Sequence, residues 1–362
     1  MSDGASDLIK ASIDATKTKS YKKVEWRKAD IMTDWSAFYE QFGIWPVAQP
    51  FARMMFEEQE VRLVLALGER ALTAGQIAEL LELEPGSAHE LVDRCYRRLI
   101  VNKDGKEPDI LYRATDFYTF LDYFLKYENW DDIPIDDRRA IDQKYLQEFI
   151  ARVKEGVALK MDGKATPNAL PNDSVMLLDE VEAMIDAATD IAVQPCNCRR
   201  SGQYCSRPVE TCIWLDEGAR AALDRGHGRP LNKEEAKQLL RWADKKGLMH
   251  TADSEWQTRG LHAICNCCAC DCYPFRAADA LGSKGAWPKI RYRVEYDKAL
   301  CSLCGSCVKR CHFNAFYHDG SMVKIEGKYK KRVSYDPKKC WGCGLCANTC
   351  TTEAIGMKPI DR

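Results

Sequence analysis

The chain has 362 residues, 46% of them hydrophobic, which is enough for two or three domains with real cores. No apolar run reaches the roughly 18 residues of a membrane span, and the polar opening MSDGASDLIK lacks the apolar stretch of a secretory signal, so a cytoplasmic protein is expected. The net charge of −1 hides an asymmetry: residues 1–190 hold 24 Lys/Arg against 36 Asp/Glu (−12), and residues 191–362 hold 29 against 18 (+11). Of the 18 cysteines, 17 lie beyond residue 195, and in a reducing compartment such density points to metal rather than disulfides.

Residues 1–50 form an aromatic-rich extension with Trp26, Trp35, Phe38, Tyr39, Phe42 and Trp45, read as packing residues. Residues 51–115 carry a winged-helix pattern. Val61, Val64, Leu65 and Leu67 begin one helix, and Thr73 caps a second with Ile77, Leu80 and Leu81. Pro85-Gly86 is read as a turn, and a third helix buries Leu91, Val92, Cys95 and Leu99. Ile100-Val101 and Ile110-Leu111-Tyr112, joined through Asp104-Gly105, make the wing. Arg94, Arg97 and Arg98 share the third helix with Glu90 and Asp93 in an acidic half, so nucleic-acid binding is not expected.

Residues 116–176 read as a helical connector, with a loop over Gly163–Ser174. Residues 177–290 read as a cysteine-rich α/β region that opens on a helix with Val175, Leu178, Val181 and Ile185. Nine thiols follow in two groups: Cys196, Cys198, Cys205 and Cys212, then Cys265, Cys267, Cys268, Cys270 and Cys272. Strands Ile191–Val193 and Leu261–Ile264 lead into them and are expected side by side, and Asn232 caps a helix over Lys233–Lys246 that Gly247 ends. Nine thiols can ligate two cubanes with one left over; one cluster with unligated thiols, or a zinc or site-differentiated centre, are the other readings. Arg199, Arg200 and Arg207 are candidates for tuning such centres, and His250, His262 and His312 lie near the cysteines as weaker ligand candidates.

The last segment is the most specific. Cys301-x2-Cys304-x2-Cys307-x3-Cys311 recurs thirty-nine residues later as Cys340-x2-Cys343-x2-Cys346-x3-Cys350. Tyr296-Asp297 and Tyr335-Asp336 precede the two runs, Gly305 matches Gly344, and Ala315 matches Ala354. Residues 291–362 thus resemble the bacterial two-[4Fe–4S] ferredoxin domain, a pseudo-symmetric α+β fold. In that family the fourth cysteine of each run serves the other cluster. The resemblance implies one cluster on Cys301, Cys304, Cys307 and Cys350, and the other on Cys340, Cys343, Cys346 and Cys311. The family's proline after the fourth cysteine is His312 in one run and Thr351 in the other. Upstream, Pro195-Cys-Asn-Cys-Arg199 with Ile264-Cys-Asn-Cys-Cys resembles an arrangement in ferredoxin-containing proteins of anaerobes, which names no activity. Cys267-Cys268 is similar to the paired cysteines of heterodisulfide reductase subunits, although the spacing around it departs from theirs.

The expectation is a multidomain α+β electron carrier with four [4Fe–4S] clusters in all. It would pass single electrons between a low-potential donor and a partner oxidoreductase, a flavoenzyme or reductase of anaerobic metabolism. Residues 284–339 hold 14 Lys/Arg against 5 Asp/Glu, and Lys328-Tyr329-Lys330-Lys331-Arg332 is the densest basic run, suited to docking an acidic partner. A redox-sensing winged-helix regulator and an iron–sulfur enzyme with an open iron are the alternatives. No radical-enzyme cysteine motif, dinucleotide fingerprint or Walker loop is present.

Overall fold

A computed structural model describes residues 33–106, 109–164, 170–325 and 327–360; Trp26 and the middle of the Gly163–Ser174 segment lie outside them. The chain divides into two units: the first runs to Glu148, inside the helix Ile135–Met161, and also takes Arg200–Gly202 and Arg225–His227, and the second takes the remaining residues from Phe149.

The first unit is built on helices Trp35–Gln41, Glu58–Leu67, Ala74–Leu81, Pro85–Arg97 and Phe117–Tyr127. Strands β1 (Val101–Asp104) and β2 (Leu111–Ala114) form an antiparallel hairpin after the fourth helix. Thr73 caps its helix by accepting from the Gln76 amide, in a capping box. Pro85 is the first residue of the next helix rather than a turn, because a proline there forfeits no intrahelical bond. The core is aromatic: Phe38, Phe42, Phe56, Phe117, Phe120, Phe124 and Trp130 are all buried, and Cys95 packs among the aliphatic residues of its helix. A fully buried Glu60 carboxylate meets Arg98, whose Nε and Nη2 also grip both oxygens of Glu128 at 2.6 Å.

The second unit centres on a six-stranded antiparallel sheet in the order β3-β7-β8-β5-β4-β6. The strands are β3 (Ser174–Met176), β4 (Ile191–Pro195), β5 (Glu210–Leu215), β6 (Arg229–Pro230), β7 (Met249–Ala252) and β8 (Ala263–Cys267). Two expectations are corrected here. Val175 belongs to a strand, and its helix starts only at Leu178. The strands that lead into the two cysteine groups, β4 and β8, are not neighbours; β5, which carries Cys212, lies between them.

The helix Lys233–Lys245 begins at the Asn232 cap and is followed by Gly247 at φ +78°. With Leu178–Ala187 it contributes Ala236, Leu240, Val181, Met184 and Ile185 to a core that also takes Val193, Ile213 and Ile264. Side chains alternate between faces along a strand. Ile213 opposite Ile264 therefore turns to this core, and Cys212, Cys265 and Cys267 turn to the other face.

The remaining strands belong to the cysteine-repeat segment. β9 (Tyr292–Tyr296) pairs with β12 (Ile355–Pro359), and β10 (Phe316–Ile325) pairs with β11 (Lys328–Tyr335). Asp244 anchors both cysteine runs to the sheet region. It accepts from Arg310 of the first run at 2.9 Å and from Asn348 of the second at 2.8 Å.

Candidate metal centres

The repeat segment is symmetric at the level of single atoms. Gly305 and Gly344, matched in sequence, both adopt left-handed backbone, φ +74° and +78°. Ala315 and Ala354 are both buried. The Tyr296 hydroxyl reaches the Cys301 thiol and the Val333 carbonyl, and Tyr335 reaches the Cys340 thiol and the Val294 backbone. Burial first, and the thiol second, hold both phenols above their usual range.

Cys301, Cys304, Cys307 and Cys350 line one cavity, with Cys346 on its wall. Cys343 and Cys346 sit among the fields of Cys340 and Cys311. These thiols act on one another as charges across space: burial pushes Cys307 up to about 11 and Cys343 up to about 12, with neighbouring thiols adding to both. Four cysteines meet the demand of one such core for ligands.

Residues 300–354 match the family model of a 4Fe-4S dicluster domain. No curated protein and no solved structure matches the chain. The dicluster segment holds eight of the cysteines; of the ten upstream, Cys95 lies in the first unit and the other nine separate into six and three.

The six influence one another as neighbours around a closed ring, in the order Cys196, Cys198, Cys272, Cys267, Cys265, Cys212 and back to Cys196, and the Cys272 thiol donates to Cys267 at 3.3 Å. Cys212, Cys265 and Cys267 come from β5 and β8, and Cys196 and Cys272 occupy the caps of the helices Asn197–Gly202 and Tyr273–Leu281. Hydrogen bonds from Cys265 and then Cys272 lower the Cys267 thiol to about 5. Asn172 donates to Cys265 at 3.0 Å, and the Thr251 hydroxyl lies 3.5 Å from Cys267. Among the described residues, no three of these six thiols converge as the ligands of a single ion do.

Cys205, Cys268 and Cys270 gather separately around Asp271. The cysteine spacing alone did not separate these thiols from the other six, although Asp271 stands in sequence between Cys270 and Cys272. A fully buried arginine links the two groups. Arg199 donates to the Pro208 and Asn266 carbonyls and to Thr211, and its Nη1 lies 3.7 Å from the Cys268 sulfur. The Cys270 hydrogen bond, aided by Arg199, lowers Cys268 to about 6.

The other basic candidates do different work. Arg200 turns to the Leu125 carbonyl and Asp131, and Arg207 offers Cys205 its backbone amide. His250 Nδ1 is bonded to Asn266 Oδ1 at 2.6 Å, and His312 Nε2 to the Gly247 carbonyl at 2.6 Å. No histidine joins a metal-sized group of donors among the described residues. None of their helices is long and apolar enough to cross a membrane.

Proposed function

We propose that the protein is an electron carrier with a chain of iron–sulfur centres, two in the dicluster domain and a third on the ring of six thiols. In the dicluster domain, Cys301, Cys304, Cys307 and Cys350 hold one [4Fe–4S] cluster, and Cys340, Cys343, Cys346 and Cys311 hold the other. The cavity lined by the first set, and the mutual fields of the second, support this crossed assignment. The ring of six supplies more than the four thiolates of one cubane. The clusters supply one-electron chemistry; the chain supplies ligation, burial and hydrogen bonds to sulfur.

One observation carries the reading. Cys343 of the dicluster domain packs in the same apolar core as Cys265, Cys267 and Cys272 of the ring. Trp341 lies in that core with its ring 4.9 Å from Phe275 and 5.4 Å from Phe313. A continuous, dry set of contacts therefore joins two thiol sets, which an electron path needs and a merely structural metal does not.

At the other end, Cys304 is exposed and faces solvent from the first set, which suits exchange with a partner oxidoreductase. Lys328, Lys331 and Arg332 on β11 are exposed as well. Lys330 is different: its ammonium is bonded to the Ser302 carbonyl at 2.9 Å, so it braces the first cysteine run.

Helices Glu58–Leu67, Ala74–Leu81 and Pro85–Arg97 followed by the β1–β2 hairpin support a winged-helix fold used for docking rather than DNA reading. Arg94 and Arg98 are engaged by Glu57, Glu60 and Glu128, and Arg97 by Asp93, so few charges remain for phosphates.

Electron paramagnetic resonance during an anaerobic reductive titration tests the proposal. Three reducible centres should appear, and the ring's signal should be broadened by its neighbour and should sharpen in Cys343→Ser. A ring centre that never reduces, or whose signal ignores Cys343→Ser, overturns it.

A further inference from the structure

Counting thiols suggests a fourth cubane among the central cysteines, but the three outside the ring converge with a carboxylate on one point, as the ligands of a single ion do and as no three thiols of the ring do among the described residues. The Sγ atoms of Cys205, Cys268 and Cys270 and a carboxylate oxygen of Asp271 all lie within 4.8 Å of one another. A cubane binds each ligand through a different iron, which spreads the ligands around the cluster core. A single tetrahedral ion draws all four donors onto itself. With zinc–sulfur bonds of about 2.3 Å, neighbouring sulfurs in a tetrahedron are about 3.8 Å apart. The Cys205 and Cys268 sulfurs are 3.8 Å apart.

The fourth donor is built in. Asp271 is fully buried. Its Oδ1 accepts the Tyr204 amide at 2.8 Å, which fixes the carboxylate and aims Oδ2 inward. Oδ2 then lies 3.1 Å from Cys205, 3.3 Å from Cys268 and 3.2 Å from Cys270. With zinc–oxygen bonds of about 2.1 Å, the sulfur–oxygen edge of the tetrahedron is about 3.6 Å, so Oδ2 needs to part from the three sulfurs by only a few tenths of an ångström.

The charge argument is independent of the distances. The three thiols and the Tyr204 amide can satisfy the buried carboxylate as donors, but thiolates in their place would gather negative charge that only a cation compensates. Arg199 is the buried cation nearby, but its guanidinium is shared with the Pro208 and Asn266 carbonyls and Thr211, and in this set it meets Cys268, at 3.7 Å. A divalent ion at the centre would neutralise part of the set, with Arg199 as an outer partner to one thiolate. Two loops close the site: Cys205 lies in the segment after the helix Asn197–Gly202, and Cys268, Cys270 and Asp271 lie in the turn after β8.

We propose that Cys205, Cys268, Cys270 and Asp271 hold one tetrahedral zinc(II), a structural centre that pins the loop carrying the Cys272 ring ligand and is distinct from the iron–sulfur centres. The proposal does not depend on electron transfer by the chain.

Metal analysis and zinc K-edge absorption of the full chain, purified anaerobically with its clusters, test it. The expected result is one zinc per chain that survives dialysis against a chelator. Its first shell should hold three sulfurs near 2.3 Å and one oxygen near 2.1 Å. Asp271→Asn, which preserves shape, should lose zinc to the chelator at least tenfold faster while the iron content stays unchanged. Cys270→Ser should replace one sulfur of the shell by oxygen or lose the metal. Protein without zinc, zinc in an all-sulfur shell, or zinc retention indifferent to Asp271→Asn would each overturn the site. So would four additional irons that disappear with Cys205→Ser, since they would restore the fourth cubane.

Discussion

Asp244 is the point at which removal of one side chain should loosen the whole dicluster domain. Its carboxylate is 7% exposed and Arg310 is 18% exposed, so the ion pair sits largely out of water. Asp244→Ala leaves the Arg310 guanidinium buried without its carboxylate, a loss of about 3 kcal/mol, at the low end for buried pairs because Arg310 keeps some solvent contact. The lost Asn348 bond adds about 1 kcal/mol. Arg310→Met removes the charge but keeps much of the stem. In a double-mutant cycle the two changes should be non-additive by about 2 kcal/mol, because the second substitution removes the charge the first one orphaned.

Unfolding of a protein with bound clusters is best followed as a rate. The assay is loss of the visible cluster absorbance in a fixed guanidinium concentration without oxygen. Asp244→Ala should accelerate bleaching by about a thousandfold, and Arg310→Met should recover about thirtyfold of that in the double variant. Additive effects, or an Asp244→Ala rate within threefold of the parent, would refute the claim that this pair clamps the cysteine runs to the sheet.

Three further outcomes are expected. Cys350→Ser should remove the same paramagnetic signal as Cys304→Ser and spare the one removed by Cys343→Ser; loss of the Cys343 signal instead would contradict crossed ligation. Tyr335→Phe should lower the potential of the cluster bound by Cys340, because its hydroxyl faces that ligand's sulfur; a redox titration showing the potential unmoved would sink this. Reversing Lys328, Lys331 and Arg332 to Glu should slow association with an acidic redox partner at low salt, with the effect shrinking as salt rises and cluster spectra intact; stopped-flow rates unchanged at low salt would assign those charges to solvent alone.

The dicluster domain was legible because its ligands are local: each run puts three thiols on one loop, and the repeat doubles the signal. The helix caps at Thr73 and Asn232 were legible for the same reason, since a cap and its partner lie three residues apart. Strand β5 was hidden because Glu210–Leu215 is a short run without a local turn or cap signal to mark it. Without it the cysteine-bearing strands were expected side by side. The partition into six and three was not readable at all. It depends on which face of β5 and β8 each thiol takes and on how the loop at Cys205 reaches the turn at Asp271. The basic run on β11 was visible as charge, but the use of Lys330 as a brace for Ser302 requires the register of the hairpin.

The central claim is most directly tested by iron and acid-labile sulfide in the anaerobically purified chain, measured before and after dithionite. Three cubanes predict about twelve iron and twelve sulfide per chain, with broad visible absorbance that bleaches on reduction. Eight or fewer irons, or iron without matching sulfide, would contradict an electron path that runs from the dicluster domain into the ring of six thiols.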